Sequence, residues 1–91
     1  MRTLKYTSQY RKDERCVKRQ GKDISKLDKI LLLLITGAQL PSEYKDHSLQ
    51  GNWKHSRELH IEPNWLLIYR LTENKTFVIL ERTGSHNELF K

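Results

Sequence analysis

Four histidines, His47, His55, His60 and His86, carry the side chains of this chain that titrate nearest neutrality. Such a set has three readings. The first is a metal site, because imidazole is a common zinc ligand. The close spacings that usually build one are absent: there is no His-x-x-x-His and no Glu-rich cluster beside a His pair. The single cysteine, Cys16, excludes an intrachain disulfide and argues against a cysteine-based metal site. The second reading is ordinary surface or hydrogen-bonded histidine, the usual condition of any one of them taken alone. The third is general acid–base chemistry, since imidazole can take or give a proton near pH 7. RNA is the natural substrate for that chemistry because it carries its own nucleophile, the 2′-hydroxyl. Only a base, an acid and a few cations are then needed, with no metal and no other cofactor.

Aromatic and cationic residues fit the same scheme. Trp65 and Phe90 can stack on unpaired bases. Core packing for Trp65 and a plug at the end of the core for Phe90 are the structural alternatives. Arg57 and Arg82 are candidates for phosphate contact, or else for cross-strand ion pairs with Glu58 and Glu81.

The elements that must position these residues read as α+β. Residues 2–6 alternate like a short edge strand. Thr7 or Ser8 can cap a helix running to about Gln20 and stopping at Gly21. Its apolar stripe is thin, Tyr10, Cys16 and Val17 with Asp13 and Glu14 between, so it is expected on the surface, leaning on its neighbour. Asp23 or Ser25 can cap a second helix ending at Gly37, with Ile24, Leu27, Ile30, Leu31 and Leu34 at helical spacing and Leu32, Leu33 and Ile35 widening the stripe. After a loop over 38–52 come three strand-like runs: Trp53–Ile61, Trp65–Leu71 and Thr76–Arg82. Glu62-Pro63-Asn64 and Glu73-Asn74-Lys75 supply the turns. Ser85 can cap a last helical turn, with Glu88 at the capping-box position. The expected fold is one domain over residues 1–91: a short N-terminal strand and a helical hairpin packed on a mainly antiparallel four-stranded sheet. In such a meander His60, Asn64, Trp65 and His86 gather at one end of the sheet, and His47 can join them through the loop.

Charge adds a partner. The chain has 91 residues and a net charge of +6. Residues 1–30 hold ten Lys/Arg and four Asp/Glu, while the rest balance at seven of each sign. The whole excess therefore lies in the first third of the chain, where Lys12, Arg15, Lys18, Arg19 and Lys22 of the helical hairpin point to a polyanion contact as against a merely solvated face. The longest apolar run, Ile30–Ile35, is far short of the roughly 20 residues of a membrane span. With one cysteine and no apolar signal core at the N-terminus, a reducing cytoplasm is the expected compartment.

Three ordered blocks carry a resemblance over nearly the whole chain, strongest from residue 44 to 90. They are Lys45-Asp46-His47-Ser48-Leu49-Gln50-Gly51-Asn52-Trp53-Lys54, then Arg57-Glu58-Leu59-His60-Ile61-Glu62-Pro63-Asn64-Trp65-Leu66-Leu67-Ile68-Tyr69, then Glu81-Arg82-Thr83-Gly84-Ser85-His86-Asn87-Glu88-Leu89-Phe90. Together they resemble the YafQ branch of the RelE superfamily of bacterial type II toxins. The resemblance implies a RelE-like fold and an endoribonuclease, an mRNA interferase that cuts messenger RNA in the ribosomal A site and is neutralised by a cognate antitoxin. It implies catalytic roles for His47, His60 and His86, and substrate contact for Trp65 and Phe90. Asn64 departs from the Asp frequent in the family: it can hydrogen-bond but cannot serve as a base. Two alternatives stand beside this expectation. One is a non-catalytic basic RNA- or DNA-binding module. The other is a degenerate toxin that only binds its antitoxin.

Overall fold

The computed structural model describes residues 1–90. Strand β1 (Thr3–Tyr6) leads into helix α1 (Ser8–Arg19), and α2 (Ile24–Thr36) follows. The Thr7 hydroxyl accepts from the Tyr10 N–H at 2.9 Å and donates to the Glu81 carbonyl at 2.9 Å, so one side chain both starts α1 and ties it to the sheet. Asp23 caps α2, accepting from the Ser25 N–H at 3.0 Å. Gly37 ends it in the left-handed conformation, φ 75°. Then come β2 (His47–Ser48), β3 (Arg57–Glu62), β4 (Trp65–Leu71), β5 (Phe77–Gly84) and α3 (His86–Leu89). Two single turns of 3₁₀ helix, Ser42–Tyr44 and Gly51–Trp53, interrupt the long connection.

The sheet order is β1-β5-β4-β3-β2. It has five strands rather than the expected four, because His47 and Ser48 pair antiparallel with Glu58 and Arg57. It is mixed, because β1 runs parallel to β5. β3 begins four residues later than its alternating pattern predicts. The stretch from Gly51 to Ser56 closes turns instead, with the Lys54 N–H bonded to the Gly51 carbonyl and the Ser56 N–H to Trp53.

One face of the sheet carries the helices. Tyr10 and Val17 of α1 and Leu27, Ile30 and Leu34 of α2 pack against Leu59, Ile61, Trp65, Leu67, Tyr69, Val78 and Leu80. α1 is more deeply seated than its thin stripe suggests, because Asp13 is buried with partners on β5. α2 is less so: Leu32 points away from the sheet and is exposed, as one residue of an apolar run all round a helix must be. On the opposite face Leu66 and Ile68 form a smaller cluster with Leu89, flanked by Leu49, Trp53 and Phe90. This outer face is where the histidines lie.

Candidate active site

Residues two apart on a strand share a face, so Glu58 and His60 of β3 both look outward, opposite Ile68 and Leu66 of β4. β2 adds His47 directly across from Glu58. The His47 and His60 rings lie with centroids 6.4 Å apart, and Nε2 of each is 3.5 Å from the same Glu58 oxygen, Oε1. Glu58 is only 6% exposed, so this carboxylate has little water to screen it. His47 Nδ1 lies 2.7 Å from the Lys45 carbonyl. A carbonyl only accepts, so Nδ1 carries the hydrogen. In neutral His47 the lone pair is then on Nε2, on the side of Glu58 and His60.

His86 comes from the far side of the site. His60 pairs with Leu66, Leu66 pairs with Gly84, and α3 starts just beyond. The two outer backbones of that row are roughly 10 Å apart from strand spacing alone. The Ser85–Glu88 capping box sets the start of α3. Gly84, at φ 153°, lets the helix close down: a Cβ there would meet Glu88 Oε1 at 3.1 Å. Glu88 is held below the usual carboxylate range, chiefly by the Ser85 backbone N–H. Asn64 in the β3–β4 turn accepts from the His86 N–H at 3.3 Å, fixing the turn to α3. The His86 ring rests on Phe90, centroids 5.0 Å apart, and Phe90 is half-buried against the outer cluster.

Two expected substrate contacts, Trp65 and Arg82, are corrected, and Arg57 is held in place by neighbours. Trp65 is 0% exposed on the helix side of the sheet, where its Nε1 donates to Thr83 Oγ1 at 3.0 Å, so it has no free face for a base. Arg82 is neither free nor paired with a neighbouring strand: its Nε donates to Asp13 Oδ2 at 2.7 Å, and the same oxygen accepts from the Thr83 N–H at 3.2 Å. Arg57 is likewise held, by Asp46 at 2.8 and 3.1 Å and by Ser48 Oγ at 2.9 Å. The Asp46 carboxylate raises the Arg57 guanidinium above its ordinary value, and Tyr69, raised chiefly by burial, donates its hydroxyl to Asp46. Both arginines build the frame. Arg57, with its side chain 37% exposed, also presents charge beside β2.

Sequence reasoning missed Glu58, Asp46 and Asp13 as organising carboxylates. The spacing of Glu58 to His60 was the available signal for the first. Nothing local marks Asp13, whose partner lies 69 residues away. Among the described residues no group of three or more His, Cys, Asp or Glu side chains is placed to hold a metal ion. Of the basic set on the hairpin, Lys12, Arg15, Lys18 and Arg19 are exposed, whereas Lys22 is half-buried with Nζ 5.7 Å from the Trp65 ring.

Comparison with known proteins agrees with this architecture. Residues 2–91 match the model of the bacterial toxin of type II toxin-antitoxin system, YafQ. The mRNA interferase toxin YafQ of Escherichia coli K12 is 46% identical over 90 residues, covering 98% of this chain and 96% of the relative. The Escherichia coli DinJ–YafQ toxin–antitoxin complex contains a chain of TM-score 0.90 and 45% identity, with 99% of this chain and 98% of that one covered. A metal-bound toxin from Helicobacter pylori superposes at TM-score 0.91 with 37% identity, covering 99% of this chain and all of that one. A match to one family model along almost every residue, on the same fold, leaves one assignment: the chain belongs to the YafQ family of type II toxin–antitoxin toxins.

Proposed function

We propose that residues 1–91 act as one domain, a ribosome-dependent endoribonuclease that cuts messenger RNA by metal-independent histidine chemistry and is neutralised by a cognate antitoxin. The carrying observation is the split of the imidazoles, His47 and His60 sharing Glu58 on one side and His86 on Phe90 on the other. Attack of a 2′-oxygen on its neighbouring phosphorus needs a base and an acid on opposite sides of the phosphate. His47 Nε2, or His60 beside it, takes the 2′-hydroxyl proton, and Glu58 stabilises the imidazolium that forms. His86 gives its proton to the departing 5′-oxygen. The products are a 2′,3′-cyclic phosphate and a 5′-hydroxyl. Asn64 orients His86, and Phe90 offers a base a stacking surface.

Support for the substrate comes from the relative called an mRNA interferase, and support for an antitoxin from the DinJ–YafQ complex. No helix of the described residues is long and apolar enough to cross a membrane. The reading places the protein in the cytoplasm with the ribosome.

The test is cleavage of messenger RNA on programmed ribosomes by protein first stripped with a chelator that is then removed. The expected product ends in a 2′,3′-cyclic phosphate. His86→Ala is expected to abolish it while antitoxin binding and unfolding midpoint stay near wild type. Full activity in His86→Ala would remove the proposed acid. Activity lost on stripping and restored by one added metal would replace the metal-free mechanism.

A further inference from the structure

The fourth histidine and the Gly51–Trp53 turn have no part in that mechanism, yet they build a cavity on the same outer face. It has a volume of about 420 Å³ and is lined by Asn52, Trp53, His55, Ser56, Arg70 and Glu81. We propose that this cavity is a second nucleotide subsite, in which a base of the messenger RNA flanking the scissile phosphate stacks on Trp53. The proposal rests on the endoribonuclease reading above and extends it beyond the histidines.

Continuity with the active site comes first. Trp53 and Phe90 pack against the same outer cluster of Leu66, Ile68 and Leu89, and Phe90 carries His86 at 5.0 Å. A strand passing the histidines therefore runs toward Trp53 along the surface of one cluster. Trp53 is also the tryptophan that remains available. Trp65 is 0% exposed and committed to Thr83, whereas Trp53 is half-buried, set against the cluster and open to the cavity. Aromatic faces of this kind hold unpaired bases whatever their identity.

The polar lining suits a nucleotide. Arg70, with its side chain 41% exposed, is set by Glu81, whose Oε1 lies 3.6 Å from Arg70 Nε and accepts from Ser56 Oγ at 2.5 Å. That one carboxylate oxygen thus serves two partners. The guanidinium keeps donors for a phosphate or a base edge. Asn52 and His55 are exposed and line the cavity, and each can donate to the backbone of a bound strand. An acidic antitoxin segment is the competing occupant. It would suit the cations but gives no reason for a flat aromatic wall continuous with the catalytic face.

The experiment scans a messenger RNA on programmed ribosomes with a single abasic nucleotide at each of the three positions on either side of the cut. For the wild type, one flanking abasic position is expected to lower kcat/KM about tenfold or more, the size of one lost base stack. Trp53→Leu is expected to lose a similar factor on normal message and to be insensitive to that abasic position. Trp53→Phe is expected to recover both the rate and the sensitivity. Additive losses from Trp53→Leu and every abasic position would overturn the subsite. So would Trp53→Leu losing antitoxin affinity while cutting normally, which would give the cavity to the antitoxin. If Trp53→Leu does not fold, Arg70→Met and His55→Ala take its place in the same scan, with the same non-additivity expected. Wild-type cleavage is measured throughout, so a chain that cuts nothing sinks the catalytic reading, and a chain that cuts with no such coupling sinks only the subsite.

Discussion

Glu58 is the residue on which the two-histidine side of the site turns. Its oxygen stands 3.5 Å from Nε2 of both His47 and His60. A carboxylate so placed stabilises the imidazolium formed after proton transfer, the role an acid plays behind a catalytic histidine. Glu58→Gln keeps the shape and removes the charge. It is expected to lower kcat about tenfold or more, a part of the 10²–10⁴ that positioned proton transfer supplies, with KM close to wild type. Single-turnover cleavage on ribosomes measures it, and wild-type kcat in that variant would reduce Glu58 to packing. Asn64 makes a second point at this scale. Its Oδ1 accepts from the His86 N–H, and a carboxylate oxygen could accept as well. Asn64→Asp is therefore expected to keep or raise the rate, and Asn64→Ala to slow it modestly by freeing α3. An inactive Asn64→Asp would show that charge at this turn disturbs His86. The Glu58 role is only half legible in the sequence: its spacing puts it on one face with His60, but only the β2 pairing brings His47 to it.

Among the elements, α1 and α3 are held by polar contacts that a hydrophobic pattern does not reveal. Asp13 joins α1 to β5 through Arg82 and the Thr83 N–H, with its side chain 10% exposed. Removing it strands a largely buried guanidinium and an amide. Asp13→Ala is expected to cost about 2 kcal/mol, less than breaking a fully buried pair because Arg82 retains some water; the urea midpoint checks it. A midpoint within error of wild type would make the bridge incidental. In α3 the pH dependence has a definite sign. Glu88 is lowered on folding, chiefly by the Ser85 N–H, so its contribution is present above the ordinary carboxylate range and is lost as pH falls through the lowered value. Acid below the ordinary carboxylate range is expected to fray α3 before the core, and Glu88→Gln to remove that dependence; amide exchange at Leu89 and Phe90 follows it. The ends of the helices were legible in the sequence because Thr7, Asp23, Gly37 and Ser85 each meet a local capping requirement. The start of β3 was not, because alternation from Trp53 onward imitates a strand where the backbone turns. The two-residue β2 is too short to leave a pattern, and it is the element that completes the histidine pair.

At the scale of the molecule, charge and chemistry lie on opposite sides of the sheet. α1 packs on the face of Leu59, Leu67 and Leu80, while His47, His60 and Glu58 occupy the other, within a body of 34 × 30 × 27 Å. Such a chain could hold ribosomal RNA with one side and messenger RNA with the other. Phosphate contacts add affinity and salt dependence without taking part in bond breaking. Lys12, Arg15, Lys18 and Arg19 are exposed, and the one ion pair of this group within α1, Lys18 to Glu14, is long at 3.9 Å. Changing these four to Ala is expected to leave stability nearly intact, about 0.5 kcal/mol or less for each exposed position, and to weaken ribosome association. The dependence of binding on salt should flatten by nearly one logarithmic unit per lost phosphate contact. Lys22 belongs to a separate test, because it is half-buried near Trp65 and its loss would touch packing as well as charge. Cleavage under saturating ribosomes is expected to fall much less than cleavage at low concentration, since the outer face is untouched. Ribosome binding and salt slope equal to wild type in the fourfold variant would make the basic surface of α1 a solvated face or an antitoxin contact, and would move ribosome recognition to the cations around the histidines.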